Sequence, residues 1–178
     1  MGDIKEHRKT LLLIAAISRH EQAIRWARDR ISQEWGEIAL ESPCFLFDST
    51  SYYEASMGTQ LRKAFFAAER LIDPSELAQI KHETNRWEVS YAETSGHPEQ
   101  RPLNLDPGYI TEAKLVLATT KDRDHRVYLE KGIYAEVTLY FHGREWHSRE
   151  WTYPDYRRED YHQFFTQCRD YLRGRYRE

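Results

Sequence analysis

Apolar and polar positions alternate along the chain in segments that predict its elements one after another. Thr10 to Ile17 is a short, nearly continuous apolar run, which predicts a buried first strand. Ser18-Arg19-His20-Glu21 follows in capping-box spacing, where a serine hydroxyl and a glutamate carboxylate satisfy free amide donors at a helix start. Ala23, Ala27, Ile31 and Trp35 then repeat every four residues on one helical face, and Gly36 is a suitable stop. Cys44 to Phe47 predicts a second buried strand that ends at the turn-rich Asp48-Ser49-Thr50-Ser51. Leu61 to Ile72 is ambiguous: Ala64, Ala67 and Ala68 favour helix, whereas its place between a strand and a strongly signalled helix favours strand, which is the expectation adopted. Asp73-Pro74-Ser75-Glu76 starts the next helix with a capping aspartate, a proline at the first position and a glutamate at the third. Leu77, Ile80, Thr84, Trp87 and Tyr91 form its core-facing stripe.

Thr94 to Gly108 holds three prolines and two glycines and is expected to be the longest loop. Lys114 to Thr120 and His125 to Glu130 are strands by their content, and Gly132 turns the second into Ile133 to Phe141. Period-two counting puts Ile133, Ala135, Val137, Leu139 and Phe141 on one face of that last strand, and Tyr134, Glu136, Thr138 and Tyr140 on the other. Tyr161, Phe164, Cys168 and Leu172 make a closing helix that stops at Gly174. The order is β-α-β-β-α-β, then a hairpin and a helix. This predicts an α+β single domain over residues 1–178, with a ferredoxin-like βαββαβ core, an added C-terminal β-hairpin and a closing helix. Such a core hosts unrelated functions and constrains topology rather than chemistry.

Composition narrows the class. With 26 Lys+Arg against 29 Asp+Glu and 40% hydrophobic residues, the chain is neither a polybasic nucleic-acid binder nor a disordered acidic tail. Cys44 and Cys168 lie in unrelated contexts without metal-ligand spacing and are expected to be thiols in a cytoplasmic protein. No apolar run approaches transmembrane length, so no membrane partner is expected. The final 37 residues carry eight basic and seven acidic side chains, which argues against sequence-specific DNA binding.

The densest polar signal is Asn104-Leu105-Asp106-Pro107-Gly108-Tyr109, followed by Lys114, Lys121, Arg123, His125 and Arg126. A carboxylate beside several cations suits a phosphate-bearing ligand, since the cations neutralise oxygens while the carboxylate holds a metal or takes a proton. Asp106-Pro107-Gly108 equally suits a plain β-turn. On the hairpin, Arg126, Tyr128, Tyr134, Glu136 and Thr138 share a face, and Arg126 is the natural partner of Glu136. That pair is either cross-strand scaffolding on a solvated face or, under a covering segment, a base or metal ligand. Tyr52 and Tyr53 either stack on a ligand or cap the core. Trp151-Thr152-Tyr153-Pro154-Asp155-Tyr156 suits a packed aromatic turn with Thr152 or Asp155 as helix cap. Phosphate-loop, dinucleotide-turn and nucleophile-elbow motifs are absent. His142 and His147 bracket Glu145 on opposite strand faces, which disfavours zinc.

Taken together, Ser51-Tyr52-Tyr53-Glu54 with Met57-Gly58, Leu71-Ile72-Asp73-Pro74, Asn104 to Tyr109, Thr120-Lys121, His125 to Leu129, Gly132 to Leu139 and Trp151 to Tyr156 make a set that resembles DUF4416, a bacterial and archaeal family of unknown function. The resemblance covers nearly the whole chain and implies no chemistry. A GTP-binding label that some members carry lacks its phosphate loop here, and Ser56 replaces the usual acidic residue before Met57-Gly58.

The expectation is a polar cleft bounded by the 94–113 loop, the 125–140 hairpin and the 48–58 loop, which takes a nucleotide or an RNA end. Lys114, Lys121, Arg126, Tyr128 and Tyr53 bind the ligand, and His125 serves as acid or base. Asp106 and Glu136 hold a divalent cation, magnesium or manganese, or activate water. The rival is a non-catalytic module whose exposed aromatics Trp146, Trp151 and Tyr153 contact a protein partner.

Overall fold

The structure, a computed structural model, describes residues 2–50 and 52–177. Ser51, part of the turn and tyrosine motif above, lies outside the described residues. Among those described, the elements are β1 (Leu11–Ser18), α1 (Glu21–Trp35), β2 (Ile38–Glu41), β3 (Phe45–Leu46), α2 (Glu54–Met57), β4 (Arg62–Ala68), α3 (Leu77–Thr94), β5 (Asn104–Ile110), β6 (Lys114–Thr119), β7 (Val127–Glu130), β8 (Ile133–His142), β9 (Glu145–Ser148) and α4 (Glu159–Arg175). One antiparallel sheet runs β2-β4-β1-β5-β6-β8-β7, with β3 also on β4 and β9 also on β8.

β1 lies inside the sheet and is buried along its whole length, which is why it shows no alternation. Leu11, Leu13 and Ala15 pack with Phe164, Phe165, Cys168 and Leu172 of α4. Leu12, Ile14 and Ala16 pack with Ala23, Ala27 and Ile31 of α1 and with Ile80, Trp87 and Tyr91 of α3. The fold is therefore three layers, with α1 and α3 on one face of the sheet and α4 on the other. Each fully buried Leu or Ile contributes about 1.5–3 kcal/mol, so β1 anchors both cores.

The expected stop at Gly36 and the Asp73 capping box, closed by Glu76, are both present. Leu61 to Ile72 contains strand β4. Other expectations need correction. The second strand is β2, ahead of Cys44 to Phe47, and only Phe45 and Leu46 rejoin the same edge of β4 as β3. Pro43 lacks an amide donor, and Ser42 bridges the gap by donating its N–H to Phe65 O and accepting the Phe65 N–H on its hydroxyl. Ser18 does not close a capping box: its hydroxyl accepts the His20 N–H and donates to Pro102 O.

Residues 104–110 are strand β5 rather than loop or turn. The strand that follows α3 is thus β5, and β6 lies beside it in the sheet. The period-two count along β8 breaks near Thr138, where the pairing jumps from Leu115↔Leu139 to Val116↔Val137. This bulge sends Leu139 and Phe141 under α4, while Ile133, Ala135 and Val137 pack toward α3. A further strand, β9, follows Gly143, and Gly174 lies inside the last turn of α4.

Candidate functional site

β5 and β6 pair only over Gly108↔Leu117, Tyr109↔Val116 and Ile110↔Leu115. Upstream of Gly108 comes Pro107, which has no N–H to give a ladder, and the two strands diverge. Asn104, Leu105 and Asp106 stay paired to β1 alone, while Leu117, Ala118 and Thr119 stay paired to β8. The sheet is split at this end and closed at the other, where a Cβ on Gly108 would lie 2.3 Å from Val116 O.

Splitting a sheet leaves an orphaned edge in its interior, and two side chains of α3 repair it. The Leu105 N–H donates to Glu88 Oε1 at 2.7 Å, and Leu105 O accepts from Lys81 Nζ at 2.8 Å. A helix thus supplies the donor and acceptor that a neighbouring strand would have given. Lys81 Nζ also lies 3.4 Å from Asp106 Oδ1, and Arg101 donates to Glu88 Oε2 at 2.7 and 3.1 Å.

The gap is a cavity of about 640 Å³. Its α4-side wall carries a buried ion pair, Lys63 Nζ to Asp155 Oδ2 at 2.7 Å, with the ammonium 4.1 Å from the Tyr156 ring centroid. Across the gap stands Glu136 of β8, only 2% exposed. It accepts from Arg126 Nε at 2.8 Å and from Thr138 Oγ1 at 3.1 Å, with His125 Nε2 at 3.4 Å.

The cover over Glu136 is the segment after β9. β7 and β9 occupy the two ends of the same edge of β8, and Trp151 and Thr152 fill the middle, donating to Val137 O and Thr138 O at 3.0 and 2.6 Å. Trp151 stacks on His125, and Tyr153 Oη accepts from Arg126. The expected Arg126 and Glu136 pair is present, on a buried face rather than a solvated one. Neither Thr152 nor Asp155 caps a helix; both are spent on β8 and Lys63.

At the mouth, Lys121 Nζ donates to Tyr52 Oη at 2.8 Å, and Tyr52 meets Tyr53 edge to face. Among the described residues Lys121 has no carboxylate partner, in contrast to Lys63, Lys81, Arg101 and Arg126.

The electrostatics follow from this pairing. Burial pushes the Asp106 carboxyl up, but Lys81, Lys63, the Asn104 amide and Arg101 outweigh it and hold the group below the usual aspartate value. At Glu88 burial wins over Lys81 and Arg101, and the carboxyl is raised. Burial also raises the Tyr53 and Tyr156 phenols, whereas the hydrogen bond from Lys121 lowers that of Tyr52.

Of the residues expected at the site, Asp106, Glu136, Lys121 and Tyr53 line the cavity, and His125 and Arg126 support Glu136 from behind. Lys114 lies at the opposite end of β6 from the cleft. Tyr128 is exposed on the sheet's edge strand. Trp146 is buried against Phe141 and Phe165, so it is unavailable to a partner. The donor set does not fit a divalent cation at Asp106 and Glu136. Glu136 accepts from Arg126 and Thr138, and Asp106 from Asn104 Nδ2 with Lys81 beside it. No group of three or more His, Cys, Asp or Glu side chains able to hold a metal occurs among the described residues.

Lys63, Lys81, Glu88 and Arg101 escape the sequence reading, which gives Asp155 only as a helix cap. Three of these carry a signal: Lys63 interrupts an apolar strand, and Lys81 and Glu88 fall beside the stripe of Ile80, Thr84, Trp87 and Tyr91. A charge on a core-facing position must be paired to be tolerated.

Comparison with curated proteins and with solved structures yields no match. A family model described as a domain of unknown function, DUF4416, matches residues 8–171, and with it the chain belongs to that family.

Proposed function

We propose that the β5/β6 cleft binds a small phosphate-bearing ligand of nucleotide size. The observation that carries this reading is Lys121, a cation at the mouth of a 640 Å³ cavity with no carboxylate to neutralise it among the described residues. A volume in the range of about 300–1,000 Å³ suits a small molecule. The other lining cations are matched to Asp155, Asp106 and Glu88, so Lys121 is the group that gains most from a phosphate. Tyr52 and Tyr53, beside it, offer ring faces for a base. Asp106, Glu136 and His125 act in the cleft as positioning groups.

In the same proposal the unit β1-α1-β2-β4-α3-β5 is a ferredoxin-like core. The strand order β2-β4-β1-β5, with α1 and α3 on one face, supports it. A cytoplasmic location is supported by the unpaired Cys44 and Cys168; among the described residues no helix is long and apolar enough to cross a membrane.

The test is thermal unfolding against nucleotides, sugar phosphates and short RNA ends, each with and without magnesium. A ligand at about 100 times its dissociation constant adds about 2.7 kcal/mol. Lys121→Ala should keep the unliganded stability within about 0.5 kcal/mol and abolish the ligand shift. A panel without any shift, or a shift indifferent to Lys121→Ala, sinks this reading.

A further inference from the structure

Charge in the cleft changes from its mouth inward. Inside, each cation already has a carboxylate: Lys63 pairs with Asp155, Lys81 with Asp106, and Arg101 with Glu88. Glu136, the other carboxylate of the lining among the described residues, is matched by Arg126. The interior charges therefore cancel. An anion carried inward would give up its water and meet no unmatched cation, which opposes its entry. A phosphate thus stays with Lys121 at the mouth, and the part of the ligand that enters is neutral.

The carboxylates of the interior are not equally open. The side chains of Glu136, Asp155 and Glu88 are at most 10% exposed, whereas that of Asp106 is 28% exposed. Asp106 Oδ2 accepts from Asn104 Nδ2 at 2.7 Å, and Oδ1 lies 3.4 Å from Lys81 Nζ. A carboxylate has about four acceptor sites, so each oxygen keeps one for a ligand. Two oxygens side by side suit two adjacent donors. Against the effect of burial, Lys81, Lys63, Asn104 and Arg101 keep Asp106 ionised, and the same three cations repel a cationic donor pair such as a guanidinium. Neutral adjacent donors fit instead, and the vicinal hydroxyls of a sugar are such a pair. The polar surroundings of Asp106 suit a ring that carries oxygens on every side. A flat base finds its ring faces at the mouth, on Tyr52 and Tyr53.

We infer that Asp106 recognises the vicinal diol of a ribose-like sugar inside the cleft, with the phosphate of the same ligand left at Lys121. The inference rests on the phosphate reading of the cleft for the ligand's orientation. In a nucleoside monophosphate the base and the phosphate leave the ribose at opposite ends, and the diol projects between them. Phosphate on Lys121 and base on the tyrosines therefore turn the diol inward. Tyr53 connects the two places, since burial and then Asp106 raise its phenol.

Titration calorimetry of the full chain with adenosine monophosphate, guanosine monophosphate and adenosine, each in its ribose and deoxyribose form, tests the inference. Loss of a hydrogen bond to a charged acceptor should weaken the deoxyribose forms about tenfold or more. Asp106→Asn should shrink that ratio to about twofold or less. The ratio is read within one protein, so a general loss of stability does not imitate the effect. Lys121→Ala should weaken ribose and deoxyribose nucleotides alike and leave adenosine unchanged. Adenosine that binds with the Asp106-dependent ratio, while a phosphate adds nothing, would sink the phosphate reading and leave this inference standing. Equal binding of ribose and deoxyribose forms, or a ratio untouched by Asp106→Asn, overturns the inference and leaves the phosphate reading intact. A preference for guanosine at equal ribose and deoxyribose binding would put a base edge at Asp106 and overturn it likewise, as would a chain that binds none of the probes.

Discussion

The two ends of the β5/β6 pair are built from the same strands and solve the same problem in opposite ways. At the closed end, Gly108 to Ile110 meet Leu115 to Leu117 in an ordinary antiparallel ladder. At the open end, Leu105 finds its donor and acceptor in Lys81 and Glu88 instead. A ladder is satisfied by backbone and leaves no room. A helix reaching across with charged side chains satisfies the same groups and leaves a cavity, but it brings buried charges that need partners of their own. The paired charges lining the cleft are thus as much a consequence of opening the sheet as a sign of a ligand. Lys121, outside that pairing, is the stronger functional pointer.

The largest effect that would break the comparison lies at the wall of the open end. Lys63→Met leaves Asp155 buried without its partner and should cost about 3–5 kcal/mol. Adding Asp155→Leu should recover most of it, because an apolar pair has no charge to desolvate. Urea unfolding of both variants checks this; a double variant as unstable as the single would mean that Asp155 has a further buried partner.

At the closed end, Gly108→Ala drives a methyl into Val116 O, 2.3 Å away. Overpacking of this kind costs about 1–3 kcal/mol, and the strands must part to accept it. Faster amide exchange at Tyr109 and Val116 is expected beside the lower unfolding midpoint. Unchanged exchange would show that the two ends are held independently.

A smaller change sharpens the role of the helix. Glu88→Leu removes the acceptor of the Leu105 N–H and one partner of Arg101. An unsatisfied buried donor costs about 1–3 kcal/mol, and Leu105 N–H should lose its exchange protection while Ile110 N–H keeps it. Equal loss at both amides would mean that the split does not insulate one end from the other.

The legible part of the fold was the part governed by periodicity: β1, α1, the Asp73 cap, the stripe of α3 and the buried face of α4 all follow local rules. The stretch from Asn104 to Ile110 is not legible as a strand because proline and glycine signal turns locally, whereas here they serve a long-range purpose. Pro107 ends one ladder without harming the other, and Gly108 admits the close approach of β6. The Arg126 and Glu136 pair was legible as a cross-strand pair. Its burial was not, since Trp151 and Tyr153 arrive from a segment beyond the next strand. Lys63 and Asp155 are 92 positions apart, and no local pattern connects them.

Titration offers the mildest probe of the open end. Asp106 is held below its ordinary value in the folded chain by Lys81, Lys63, Asn104 and Arg101, against the opposing effect of burial. A depressed folded value means that the unfolded chain binds the proton more readily. The contribution of Asp106 is therefore present above the unfolded aspartate value, about 3.9, and is lost as pH falls through the lower folded value. Glu88 has the opposite sign: its raised folded value means that stability is lost as pH rises from the unfolded glutamate value through the folded one. The two carboxylates, bridged by Lys81 and Arg101, thus oppose each other in neighbouring windows. In Asp106→Asn the first contribution disappears, so wild type and variant should differ most near neutral pH and converge below about pH 4. Denaturant midpoints across that range decide it. A gap that stayed constant down to low pH would show that the Asn104 and Lys81 contacts act through shape alone, and that the open end is held without the charge of Asp106.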